Sequence, residues 1–101
     1  MKFTKGKFWS QHIPECPERF QFHEGWIGEY GVAFAKSKNG KTWTATDLAT
    51  GMAICIYPTR KECAEWVEEN IEKIRAARLF EKCVEAAHTM SEFLKGELNG
   101  R

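Results

Sequence analysis

The chain has 101 residues, of which 43% are apolar and 29% are charged, and its formal net charge is +1. This length supports one domain with one modest core, and the composition excludes a disordered segment. No apolar run approaches the roughly 18 residues of a membrane span or the length of a signal peptide, which predicts a cytoplasmic protein. We therefore expect a single domain over residues 1–101.

The charge distribution bears on the kind of partner, and the cysteine content bears on the state of the thiols. Residues 1–61 carry a net charge of +4 and residues 62–101 one of −3. A basic half can favour nucleic acid, although a charge of this size also suits an ordinary solvated face. No CxxC spacing occurs, so we expect reduced thiols that pack as small apolar side chains. They are Cys16, Cys55, Cys63 and Cys83.

The N-terminal part of the chain predicts an edge strand and a loop. Residues 1–9 contain two phenylalanines and a tryptophan among three lysines, a pattern that favours an edge strand. The next stretch, QHIPECPERFQFHEG, contains two prolines. It predicts an extended loop that ends in a short strand around Phe20 and Phe22.

Two hairpins follow. The stretch WIGEYGVAFAKS predicts one strand that carries on one face Trp26, Tyr30, Val32 and Phe34. Asn39-Gly40 predicts a type I′ turn because both residues tolerate positive φ. In the second hairpin, DLATGM, we expect the Asp47 side chain to accept turn amides and Gly51 to be left-handed. The resulting alternation pairs Trp43 with Lys36 and Ala45 with Phe34, and adds to their inner face Met52, Ile54 and Ile56.

A long helix is predicted after the hairpins. Thr59 and Glu62 form a capping box, in which the Thr59 hydroxyl accepts from the Glu62 amide and the Glu62 carboxylate from the Thr59 amide. Residues 59–95 contain no Gly or Pro, and an apolar stripe runs along their first half. We therefore predict an α+β fold, with an antiparallel sheet of three to five strands (1–57) packed on one long, straight or kinked, C-terminal helix (59–96).

The length of this helix leaves three alternatives open. Thirty-seven helical residues span roughly 55 Å, whereas a globule of this size is only about 35 Å across. The chain bends near Ala76–Leu79, or the overhanging half packs on the aromatic N-terminal segment, or it meets a partner, most commonly a second copy of the chain. The stripe that such an interface would use is Phe80, Cys83, Ala87, Met90 and Leu94.

Candidate chemistry is sparse. His12, Cys16 and His23 have the residue types of a zinc site or a thiolate–base pair, but a zinc site normally has a second ligand pair, and here there is none. The sequence contains no GxSxG, HExxH, P-loop or GxGxxG motif. We therefore predict no catalytic residue, no metal and no cofactor.

A nucleic-acid alternative rests on residues 30–70. Three antiparallel strands followed by a helix that begins TRKECAEW resemble the small DNA-binding domains of tyrosine recombinases and AP2-type proteins. That resemblance implies a sheet whose outer face enters the major groove. The sequence departs from the family in its third strand, MAICIY, which has no basic residue.

A second resemblance covers residues 42–66. The motif W-x-A-T-D-x-A-T-G-x-A-I followed by T-R-K-E-C-A-E is similar to accessory proteins of phages and mobile elements, the class that includes anti-CRISPR inhibitors. The resemblance implies a non-enzymatic inhibitor that occludes a surface of a host protein or ribonucleoprotein. The expected contact surface is the outer sheet face with the hairpin tip: Lys36, Lys38, Lys41, Thr42, Thr44, Thr46 and Tyr57.

Overall fold

The computed structural model describes residues 1–11 and 19–99, the side chains of 98 and 99 excepted. Its strands are β1 (Thr4–Ser10), β2 (Gln21–Ile27), β3 (Val32–Lys36), β4 (Trp43–Asp47) and β5 (Ala53–Tyr57), and its helices are α1 (Arg60–Glu69), α2 (Ile71–Ala77) and α3 (Glu81–Asn99). The strands form one antiparallel sheet in the order β1-β2-β3-β4-β5, and the helices pack on it. The predicted α+β class is confirmed, and so is β1 as an edge strand.

The prediction of one continuous strand from Trp26 is wrong. A tight turn separates β2 from β3, with positive φ at both Tyr30 (63°) and Gly31 (72°). The Gly28 amide donates to the Val32 carbonyl at 2.8 Å and closes the turn. Alternating apolar residues on both sides of this turn concealed it, because tyrosine rarely adopts positive φ.

The β3–β4 hairpin has the predicted register, with Lys36 opposite Trp43. Its turn is not type I′, since positive φ occurs at Gly40 (74°) but not at Asn39. The chain instead forms a wider loop, in which the Ser37 amide donates to the Thr42 carbonyl at 2.9 Å. The Asn39 side chain accepts from the Lys41 amide, so local side-chain bonds compete with the tighter turn.

A β-bulge in β5 overturns the predicted faces of this strand. Ala45 lies opposite Cys55 and Thr46 opposite Ala53, so Ile54 is the extra residue. An inserted residue reverses the alternation beyond it. Ile56 therefore lies opposite Thr44, on the outer face, and is 60% exposed. Tyr57 packs against the core instead of lying on the outer face, so both face assignments were wrong.

The core lies between the sheet and α1. Cys63, Ala64 and Val67 of α1 are buried against Phe34 and Ala45 of the sheet. Thr59 caps α1 as predicted, because its hydroxyl accepts from the Glu62 amide at 3.1 Å. The Glu62 carboxylate accepts from that same hydroxyl, where the sequence predicted the Thr59 amide.

The helical half is divided in three. The Asn70 side chain bonds back to the Trp66 carbonyl at the end of α1, and the chain turns again at residues 78–80 before α3. Phe93 of α3 then contacts Trp9 and Phe20, with ring centroids 4.8 and 4.9 Å apart. The bend near Ala76–Leu79 and the packing on the aromatic N-terminal segment are therefore both confirmed. No helix in the described part of the chain is long and apolar enough to cross a membrane.

Asp47 and Arg78 join the β2–β3 turn and the β4–β5 turn to the helices. The nearly buried Asp47 carboxylate accepts from the Thr50 hydroxyl at 2.9 Å and from the Arg78 guanidinium at 2.9 and 3.1 Å. The same guanidinium donates to the Tyr30 carbonyl at 2.6 Å. One charge pair therefore holds the β2–β3 turn, the β4–β5 turn and the α2–α3 junction together.

We expect Arg78→Met to lower the free energy of unfolding by about 2–4 kcal/mol, because the Asp47 charge would stay buried with only Thr50 as partner. Arg75→Met is the matched control. Arg75 forms an exposed pair with Glu72 at 2.9 Å, and such pairs contribute about 0–1 kcal/mol. Urea denaturation measures both variants, and equal losses would contradict the assigned role of Arg78.

Two thiols lie close together beneath α1. The Cys63 thiol donates to the Trp43 carbonyl at 3.3 Å, and the Cys55 thiol lies 3.9 Å from the Cys63 carbonyl. Burial, and then the neighbouring Cys63, raise the pKa of Cys55 from 9.0 to about 12. Burial also raises the pKa of Cys63. Both side chains therefore stay protonated and pack as small apolar groups.

Alkylation by iodoacetamide at pH 8 should consequently be slow at Cys55, because a pKa about 3 above the ordinary value leaves about a thousandfold less thiolate. The Cys55 thiol loses its proton near pH 9 in the unfolded chain and only near pH 12 in the folded chain. The contribution of the protonated thiol to the free energy of unfolding is therefore complete below pH 9 and is lost as pH rises toward 12. Peptide mass spectrometry reads the labelling, with the urea-denatured chain as control. Equal rates in the two states would contradict the burial.

Candidate binding site on the concave face of the sheet

The sheet curls strongly at one end. In a flat sheet β1 and β4 lie roughly 14 Å apart, yet the Gln11 amide, directly after β1, donates to the Gly51 carbonyl in the β4–β5 turn at 2.8 Å. β2 pairs with β1 along seven residue pairs but with β3 at only two. The far half of β1 and β2 is therefore free to bend over the face of the sheet opposite α1.

Two glycines permit this bend. Gly6 and Gly25 lie opposite each other in β1 and β2. A Cβ on Gly25 would collide with the Phe34 carbonyl oxygen, and one on Gly6 would lie 2.6 Å from the Ile27 side chain. Glycine inside a strand commonly marks a tight bend or a close backbone approach, and here it provides both.

Helix α3 supports the bent strands from outside. The Gln11 side-chain amide, which is almost fully buried, donates to the Ala86 carbonyl at 3.1 Å and to the Thr50 carbonyl. Gly51 has a positive φ of 76°, and a Cβ there would lie 2.5 Å from the Met90 side chain. Gln11 and Gly51 thus form the point at which β1, the β4–β5 turn and α3 meet.

The bend encloses a cavity of about 540 Å³, here called the concave cavity. It is open to solvent and lies on the side of the sheet that α1 does not cover. The described residues that line it are Phe8, Ser10, Gln21, Phe22, His23, Ala35, Lys36, Ser37, Lys38, Thr44, Thr46, Gly51 and Ala53. Its volume is within the range of about 300–1,000 Å³ that is typical of ligand sites.

A serine–histidine pair forms one wall of the concave cavity. The Ser10 hydroxyl oxygen and the His23 Nε2 atom lie 2.7 Å apart, on adjacent strands. Phe8 stacks on the imidazole, with ring centroids 5.2 Å apart and the planes inclined by 25°. The imidazole is therefore held in place by both a hydrogen bond and an aromatic contact.

The opposite wall carries polar groups without partners in the described chain. Thr44 and Thr46 line the cavity from β4, and neither hydroxyl is hydrogen-bonded to a described residue. Lys36 and Lys38 form no ion pair within residues 1–11 and 19–99. Thr46 is only 4% exposed. The described lining of the cavity therefore includes two threonine hydroxyls and two lysines that the fold does not use for bonds or ion pairs.

The structure brings together four of the seven residues predicted for the contact surface. Lys36, Lys38, Thr44 and Thr46 line the concave cavity. Lys41 and Thr42 lie in the adjoining β3–β4 loop, whereas Tyr57 packs on the other side of the sheet. The sequence did not predict Phe8, Ser10 or Gln21 as site residues, because they reach the cavity only through the bend. The glycines at positions 6 and 25 were the available signal.

The residues predicted for a helix interface do not share one exposed stripe. Met90 is 1% exposed and packs inside the chain, whereas Phe80 is 66% exposed. Leu94 is exposed, and Cys83 and Ala87 are half-buried. Cys83 also lines an apolar groove of about 320 Å³ between β5 and the helices.

Several aromatic side chains on the α1 face are already occupied. The Arg60 guanidinium lies over Phe3 at 4.2 Å, over Trp26 at 4.9 Å and over Trp43 at 5.8 Å from the ring centroids. Such contacts stabilise the N-terminal turn of α1 against the sheet. These rings therefore serve the fold and are not available as anchors for a partner.

Within residues 1–11 and 19–99, no three His, Cys, Asp or Glu side chains are arranged to hold an ion. Of the three residues weighed for that role, His23 lies in β2 and faces the concave cavity. His12 and Cys16 lie outside the described residues.

Comparison of the chain with protein-family models, with curated proteins and with solved structures finds no match. The candidate site therefore rests on its own geometry.

We expect Gly25→Ala to lower the free energy of unfolding by about 1–3 kcal/mol, because the new methyl group must push β2 away from the Phe34 carbonyl. It should also speed hydrogen exchange of the Gln11 amide, which reports the bend. Gly96→Ala in α3 is the control: no atom lies within 4 Å of its Cβ position, and the change should stabilise by up to about 1 kcal/mol. An unchanged Gln11 exchange rate in Gly25→Ala would contradict the role of the glycine.

Proposed function

We propose that the protein is a non-enzymatic binding module that acts by occupying a surface of a macromolecular partner. The concave cavity and the adjoining β3–β4 loop would form its contact surface. The observation that carries the proposal is the set of polar lining residues that have no partner among the described residues, namely Thr44, Thr46, Lys36 and Lys38. Groups of this kind supply directional contacts and charge to an interface.

The curl of the sheet counts against the groove-binding alternative. A sheet that inserts into the major groove must present a protruding face. Here the corresponding face is concave, and the ends of β1 and β2 bend over it. Ile56, an exposed apolar side chain, occupies the position in β5 where that reading needs a basic or polar residue.

An inhibitor of the phage type would be one form of this module, since such a protein also acts by occlusion. The charge distribution is compatible with a protein or ribonucleoprotein partner, because the contact surface is basic and the helical half is acidic. The proposal requires neither a metal nor a cofactor.

Site-specific photo-crosslinking tests the contact surface. A photoreactive residue at Thr42, beside the cavity, should capture one partner of discrete mass from a lysate of the source cells. The matched control places the same residue at Glu65, on the exposed face of α1. Thr44→Arg, which fills the cavity, should abolish capture from position 42 while the melting temperature changes little. Equal capture at both positions, or capture that survives Thr44→Arg, would overturn the proposal.

The Ser10–His23 pair allows a separate test of the proposal that the protein is not an enzyme. A serine hydroxyl beside an imidazole has the residue types of a nucleophile and its base. We expect a fluorophosphonate probe to leave Ser10 unlabelled, with Ser10→Ala as the blank. Stoichiometric labelling of Ser10 would show an activated nucleophile and would contradict this part of the proposal.

A further inference from the structure

We propose that the concave cavity binds a phosphate group, carried by a nucleotide or by the end of a nucleic-acid strand. The inference deepens the proposed function and rests on it, because it names the chemical group that enters the contact surface. Three independent properties of the cavity carry it: the sign of the charge of its described lining residues, the placement of its hydrogen-bonding residues on three strands, and its size.

The charged side chains among the described lining residues of the cavity are positive. Lys36 and Lys38 line it, and none of its described lining residues is acidic. The contrast with Lys7 on the opposite face is clear, because that lysine is paired with Glu24 at 3.9 Å. Positive side chains beside a low-dielectric concave wall concentrate anions there. The cavity therefore favours an anionic ligand.

The polar groups enter the cavity from several sides. Ser10 lies on β1, Gln21 on β2, and Thr44 and Thr46 on β4. A phosphate group carries several acceptor oxygens that point in different directions, so it suits a site whose hydrogen-bonding residues come from three strands. A carboxylate is planar and is best matched by an arginine fork. No arginine is present in the described lining of the cavity.

The size and apolar parts of the cavity indicate more than a bare ion. A volume of about 540 Å³ is far larger than one phosphate group needs. Phe8, Ala35 and Ala53 add apolar wall beside the polar groups. A nucleotide offers a phosphate for the lysines and hydroxyls and a flat, less polar base for the remaining wall.

The test is isothermal titration calorimetry of the full chain at low ionic strength. The probes are inorganic phosphate, adenosine monophosphate, adenosine, a tetranucleotide with a 5′-phosphate or a 5′-hydroxyl, and hexaglutamate. We expect binding of adenosine monophosphate or the 5′-phosphorylated tetranucleotide, with at least about tenfold weaker binding of the matching unphosphorylated probe. Tighter binding of the mononucleotide identifies a free nucleotide as the source, and tighter binding of the tetranucleotide identifies a strand end.

Two variants assign the binding to the cavity. The double variant Lys36→Gln/Lys38→Gln should weaken binding about tenfold or more. Thr44→Val removes a hydroxyl at nearly constant shape and should weaken binding by up to about fivefold. The matched control, Lys2→Gln/Lys82→Gln, makes the same change in net charge at two exposed lysines outside the cavity lining. Circular dichroism melting checks that each variant folds.

Three outcomes would overturn the inference: no binding of any phosphorylated probe, binding of adenosine or hexaglutamate as tight as that of the phosphorylated probes, or equal weakening in the control variant. These outcomes are separable from failure of the proposed function. If crosslinking at Thr42 captures a partner that Thr44→Arg abolishes, the contact surface stands although no phosphate binds. If phosphate binds the cavity but no partner is captured, the binding-module proposal fails alone.

Discussion

The bend that brings the end of β1 onto the β4–β5 turn is the constraint on which the candidate site depends. The hydrogen bond from the Gln11 amide to the Gly51 carbonyl closes this bend, and the packing of Met90 against Gly51 holds it from outside. A flat sheet of the same strands would have one open face and no cavity. Because the bend turns that face inward, the polar residues of β4 become the wall of a cavity.

A second set of contacts fixes the positions of the turns and the helices. Asp47 is nearly buried; Arg78 compensates its charge, and the Thr50 hydroxyl donates a hydrogen bond to its carboxylate. Arg78 also binds the carbonyl of Tyr30, a residue with positive φ. A strained turn persists where the surrounding structure over-determines it. This ion pair therefore couples the β2–β3 turn to the helical half, so the sheet and the helices behave as one unit.

The two faces of the sheet differ in how far the fold uses their side chains. On the α1 face, the apolar and aromatic residues are used by the core and by Arg60. On the concave face, Thr44 and Thr46 line a cavity that is open to solvent, and their hydroxyls have no bonds to described residues. Polar groups that the fold leaves unpaired in a cavity are candidates for binding, because a ligand can satisfy them at little cost to the core.

The sequence alone determined the elements whose signals are local. The Asn39-Gly40 hairpin register, the Asp47 and Gly51 turn chemistry, the Thr59 cap and the inner positions of Phe34 and Ala45 all depend on neighbours close in the chain. The bulge at Ile54 was not predictable from alternation, because a run such as MAICIY fits either face equally well. Likewise, the turn at Tyr30 was hidden by a residue type that seldom occupies it.

Only the tertiary structure decided what surrounds the threonine-bearing face of β4. Residues distant in the chain, such as Phe8, Ser10 and His23, reach Thr44 and Thr46 because Gly6 and Gly25 let two strands bend and α3 holds them there. A bend depends on packing between elements, and periodicity carries no record of it. The sequence therefore determined that Thr44 and Thr46 face away from α1, and the tertiary structure determined that these residues line a cavity.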